Sequence, residues 1–174
     1  MTNPKDGASH PQSDPRERSG AADIAADRQL ERVVADLADK EAIRELTFRY
    51  VHAVWRGDAE AAAELFAEDG QMDTSLEDPI QGRAALRAAF ERLLDGADLQ
   101  PFLHNHIIDL DGDRASGICY LDLRSVQDGK SMMGSGCYTD RYVRVDGEWK
   151  FQSRALTLRH FVSLEEGWAG DTDV

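Results

Sequence analysis

A chain of 174 residues with a formal net charge of -13 is long enough for one domain that buries about 70% of its unfolded surface. Its acidity opposes phosphate backbones and anionic membranes, so the expected partner is a small molecule, with no nucleic acid and no membrane. No apolar run nears the roughly 20 residues of a membrane span. The opening stretch MTNPKDGASHPQSDPRERSG has no apolar signal core, and the two cysteines, Cys119 and Cys137, form no CxxC; together these predict a cytoplasmic protein with reduced thiols.

Residues 1–25 are rich in Pro, Ser, Gly and charge and predict a disordered tail. From about Ala25 to Arg56 the spacing is helical: Leu30, Val33, Val34 and Leu37 form a stripe that Ile43, Leu46, Tyr50 and Val54 continue. Gly57 stops this helix, and Asp58 is placed to cap a second one over AEAAAELFAE, with Glu60 near the positive end of its dipole. A short strand follows EDG. A third helix spans RAALRAAFERLL, with Leu86, Phe90, Leu93 and Leu94 on one side and Gly96 past its end.

The second half changes period. Asp-Gly turns at 111–112, 128–129 and 146–147 join four long runs, about 100–111, 113–126, 131–145 and 148–161. Asp-Gly is a hairpin signal because Gly accepts positive φ, so these runs predict an antiparallel meander. Helices followed by a long sheet define an α+β class. Gly134 and Gly136 predict a bend, which would curl the sheet into a cone-shaped roll over its three N-terminal helices and leave a small-molecule pocket. The domain is expected over 26–163, with an acidic tail over 164–174.

Residues two apart share one face of a strand. Phe102, His104, His106, Ile108 and Leu110 therefore form one face, the more apolar one, and are expected to face the cone interior. His104 is the candidate general base there and His106 a candidate ligand contact; the His-x-His pair lacks a third marked metal ligand, so no metal is expected. Tyr138 and Asp140 share a face with the two glycines, Cys119 lines the same interior, and Arg154 can pair with Asp140 or hold an anionic ligand group. No nucleotide, flavin or other cofactor motif is present, so any chemistry must be proton transfer by side chains.

The segments EAIRELTFRYVHAVWRGDAEAAAELFAEDG, IQGRAALRAAF, HNHIIDLDGDRASG and YTDRYVRVDGEWKFQSR, in this order and spacing, resemble a SnoaL-like domain of the nuclear transport factor 2 superfamily. The resemblance covers residues 30–161 and is closest to the dehydratase and cyclase members. It implies a cystatin-like α+β roll that binds a small, largely apolar, polyketide or steroid-like metabolite. It also implies a homodimer through the exposed sheet face. Its enzymatic form is a cofactor-free lyase or isomerase. There a His on the first long strand takes a proton, an Asp near the end of the first helix orients it, and a Tyr polarises the oxygen.

Carried over, Tyr50 matches the Tyr position and Trp55 stands at the Asp position. The His position falls on His104 in one alignment and on Gln100 or Pro101 in another. Catalysis is thus expected from His104, Tyr50 and Asp140, and ligand contact from His106, Trp55, Tyr138, Phe102, Cys119 and Arg154. The alternative is a non-catalytic ligand-binding or assembly module, because Trp55 replaces the carboxylate.

Overall fold

The structure is a computed structural model that describes residues 15–74 (side chains from Asp23), 78–96 and 98–167. Helix α1 (Pro15–Trp55) begins earlier than the Ala25 expected from composition, with proline at its first position, where the missing N–H has no helical partner. The disorder expected for 1–14, and the end of the acidic tail at 168–174, lie outside the described residues. Contacts divide the chain into two units, residues 1–38 and 39–174. In the first unit the predicted stripe of Leu30, Val33, Val34 and Leu37 is exposed rather than core.

In the second unit α1 turns Ile43, Leu46, Thr47, Tyr50 and Ala53 inward, the i, i+3, i+4, i+7 pattern of one helix face. The buried Thr47 hydroxyl is satisfied by donating to its own helix at Arg44 O, 2.7 Å away. Helix α2 (Ala59–Glu64) carries the expected cap: Ala61 N–H donates to Asp58 Oδ1 at 3.0 Å. It ends sooner than its sequence pattern predicts, because Phe66 already pairs with Phe151 in the sheet and is fully buried there. Helix α3 (Arg83–Leu94) buries Leu86, Ala89, Phe90 and Leu94; Leu93, expected inward, is exposed.

Six strands form one sheet: β1 (Phe66–Asp73), β2 (Ile80–Gln81), β3 (Leu99–Asp111), β4 (Arg114–Gln127), β5 (Lys130–Val145) and β6 (Glu148–Ser163), in the order β2-β1-β6-β5-β4-β3. All neighbours are antiparallel except β1 and β6. The predicted meander and its three turns are present. At 128–129 and 146–147 both central residues have positive φ, the geometry that matches strand twist.

The ladders shift register at Phe66/Gln71, Leu103/His106, Ser135/Gly136 and Arg141/Tyr142, and two of these shifts bear most on the inner face. One lies in β5–β6 at Ser135/Gly136, where a Cβ on Gly136 would meet Thr157 O at 2.0 Å, so only glycine fits the bend. The other, between Leu103 and His106 of β3, was not anticipated. Leu103 pairs with Leu121 and His106 with Cys119, both buried inner-face residues, so the extra residue lies at His104–Asn105.

Candidate functional site

The β3 bulge corrects the face assignment made from alternation. Leu103, His106, Ile108 and Leu110 look inward, whereas Phe102 pairs with Asp122 on the outer face. His104 goes with it: its Nε2 lies 3.0 Å from Asp122 Oδ2, with side chains 49% and 44% exposed. The two imidazoles therefore occupy different environments.

The inner face centres on Arg154 and Asp140, paired across β5–β6 and exposed by 0% and 1%. The guanidinium grips the carboxylate with two bonds, Nε to Oδ1 at 2.9 Å and Nη2 to Oδ2 at 2.8 Å. The rings of Tyr138, Phe151 and Tyr50 surround it, with centroids 4.0, 4.1 and 4.4 Å from its central carbon. Burial acts against the charged guanidinium, but the Asp140 carboxylate outweighs it and holds Arg154 above its ordinary pKa.

From this pair a polar chain runs outward. Tyr142 donates to Asp140 Oδ2 at 2.8 Å, and its oxygen lies 3.1 Å from His106 Nε2. Tyr142 has one proton, and the carboxylate, which can only accept, takes it. The hydrogen between the two rings must therefore sit on His106 Nε2, which leaves Nδ1 as a bare lone pair. That Nδ1 is buried without a partner, and so is Arg154 Nη1 at the other end of the chain. Burial lowers the His106 pKa; the attraction of Asp140 only partly offsets this, and Arg154 and Arg44 add to the lowering. The imidazole is neutral at pH 7. Burial raises Tyr142 and Tyr50 far above the ordinary phenol value, Tyr138 to about 12 and the Cys119 thiol to about 11, so all four stay protonated.

Gly117 makes the chain possible. It pairs with Asp140 on one side and Ile108 on the other, and its missing side chain leaves room for the two rings. A Cβ there would sit 3.2 Å from His106 Nε2, 3.3 Å from Tyr142 Cε2 and 2.7 Å from Ile107 O.

Of the residues picked from sequence, Tyr50, Tyr138, Asp140, Arg154, Cys119 and His106 lie on the inner face or against it. His104 and Phe102 do not. The Tyr50 hydroxyl contacts Met72 Sδ at 3.7 Å. Trp55 is 44% exposed, less buried than a core or pocket wall; its indole N–H donates to Pro101 O at 2.8 Å and its edge meets Phe102. The position that matches the family Asp thus touches a residue at one of the positions that match the family His, and neither is ionisable. Sequence reasoning missed Tyr142, although its alternation with Tyr138 and Asp140 on β5 was a usable signal.

Two concavities are lined otherwise. One, of about 280 Å³, runs beside Leu46, Arg49, Leu65 and Trp149; the other, of about 380 Å³, lies on the outer face beside Asp122, Ser135, Arg159 and His160. Among the described residues no helix is long and apolar enough to cross a membrane.

Helices packed on a curved, mostly antiparallel sheet with a polar cluster inside define a nuclear transport factor 2-like protein with a cystatin-like fold. The sequence pattern of the SnoaL-like domain matches residues 35–155, and the chain belongs to that family. No curated protein matches it. Among solved structures it is similar to a nuclear transport factor 2-like protein with a cystatin-like fold from Novosphingobium aromaticivorans, at 28% identity over 75% of this chain and 88% of that one, TM-score 0.64. A scytalone-dehydratase-like protein from the same organism shares 23% identity over 75% and 90%, TM-score 0.69. A hexachlorocyclohexane dehydrochlorinase, LinA-type3 from Novosphingobium barchaimii, shares 20% over 75% and 93%, TM-score 0.69. The last two likenesses speak for the fold alone.

Proposed function

We propose that this SnoaL-like protein binds a small, largely apolar metabolite in its cone, oriented by the chain His106–Tyr142–Asp140–Arg154. The observation that carries this reading is the pair of buried polar atoms without hydrogen-bond partners at the two ends of that chain, a donor at Arg154 Nη1 and an acceptor at His106 Nδ1; both are closed to a water-sized contact, so a ligand reaches them only by parting the side chains packed around them. Burying such atoms without partners costs roughly 1–3 kcal/mol each. A ligand with an oxygen for one and a hydroxyl or acidic C–H for the other removes that cost. Tyr50, Tyr138, Phe151 and Leu121, which pack as core around this chain, suit an apolar body.

The enzymatic form is a cofactor-free lyase or isomerase step with His106, not His104, as the base. Its neutral Nδ1 would take the proton, Arg154 would hold the oxygen, and Asp140 would stabilise the imidazolium through Tyr142. What favours the non-catalytic form is Trp55, whose indole is bonded to Pro101 where the resembling dehydratases carry their carboxylate. Native mass spectrometry of the full chain purified from its own host tests binding. A retained small molecule that is lost in Arg154→Met supports it, and a bare chain in both argues against it. Turnover of the retained compound that disappears in His106→Gln separates the catalytic form from the other. For assembly we propose a homodimer through the outer sheet face, where Ile107, Ile118 and Tyr120 are exposed on adjacent strands. A monomer mass by light scattering would refute it.

A further inference from the structure

The first stretch of α1 carries an apolar face that the described residues of its own unit leave open. Leu30, Val33, Val34 and Leu37 stand at i, i+3, i+4 and i+7, one face of two helical turns, and are 63, 43, 56 and 61% exposed. A helix gains most of its stability in water from packing such a face, and an exposed one marks a contact surface. The charges along the same face differ at its two ends. Asp27 and Asp23 precede Leu30 by three and seven residues, and Lys40 and Arg44 follow Leu37 by three and seven. Arg44 bonds Glu41 at 3.2 Å, so the charge in excess at that end is that of Lys40.

This pattern is its own complement. A two-fold axis midway between Val33 and Val34 sets each residue level with a counterpart in an antiparallel copy. Leu30 then meets Leu37 of the copy, Val33 meets Val34 and Asp27 meets Lys40, and the symmetry makes each contact twice. A parallel copy would instead set Asp27 against Asp27 and Lys40 against Lys40, which like charges oppose. We propose that this face of α1 pairs antiparallel with the same face of a second copy of the chain, a self-contact separate from the outer sheet face. The stripe spans only two turns, so the association is reversible and depends on concentration.

The test follows the mass of the full chain by analytical ultracentrifugation over a concentration series, with circular dichroism to check folding. At the high end of the series the wild type should have twice the mass of a variant carrying Leu30→Glu and Val34→Glu. The ratio is the same whether or not the sheet-face dimer forms: dimer against monomer without it, tetramer against dimer with it. Equal masses overturn the proposal, and the mass itself then judges the sheet-face dimer. Orientation is read from charge. Lys40→Asp should weaken the association roughly tenfold, because two exposed ion pairs become like-charge pairs. Adding Asp27→Lys to Lys40→Asp exchanges the two charges and should restore the wild-type association. A double variant that associates no more tightly than Lys40→Asp overturns the antiparallel pairing. Should the variant with two glutamates lose its fold, the charge exchange alone decides.

Discussion

His104 and His106 are two residues apart, and their surroundings are opposite. His104 meets a carboxylate directly on the outer face, where both partners are half in water. His106 meets a carboxylate only through Tyr142, inside the sheet, where Asp140 is 1% exposed. The closer pair is the weaker one. In water an ion pair gains little and is screened, whereas in the interior each polar group depends on its neighbours for every bond. A direct His–Asp contact is therefore a poor guide to which imidazole joins the buried polar cluster of this sheet.

The comparison can be broken at several points. The largest effect is expected from Asp140→Ala, which strands the buried Arg154 charge and should cost about 3–5 kcal/mol by urea denaturation. A loss below 1 kcal/mol would show that water reaches the guanidinium after all. Gly117→Ala should cost about 1–3 kcal/mol, since its Cβ must push against Ile107 O and part His106 from Tyr142. Tyr142→Phe keeps the ring and removes only the link, leaving His106 Nε2 without its partner; about 1–2 kcal/mol is expected. Asp122→Asn on the outer face should change stability by no more than about 0.5 kcal/mol, because the pair it breaks is half exposed.

The pH dependence sharpens the contrast. The His106 pKa is lowered in the folded state by burial, so its neutral form favours folding above the unfolded value of about 6.5. That contribution is lost as the pH falls through the lower folded value, where unfolding takes up a proton. Urea midpoints of the wild type should therefore decline between pH 7 and pH 5 more steeply than those of His106→Gln. Parallel curves would show that the imidazole is freely hydrated.

Much of the fold can be read locally. The Asp-Gly turns, the alternation along β4 and β5 and the Asp58 cap are near-neighbour effects, and each stands where the residues put it. The parity of β5 places Tyr138 and Asp140 together, and with them Tyr142, which the same rule would have found. The parity of β3 failed because alternation assumes an uninterrupted ladder, and one extra residue between Leu103 and His106 moved His104 and Phe102 to the other face. Likewise the helical stripe at Leu30–Leu37 has the period of a core face but is exposed in its unit.

The sequence by itself determined the order of elements, the hairpins and the family, because turn chemistry and side-chain period act between residues close in the chain. Only the tertiary structure decided which imidazole joins Asp140 and Arg154. That choice depends on the count of residues between paired strands, and on the space left by Gly117, where the rings of His106 and Tyr142 meet.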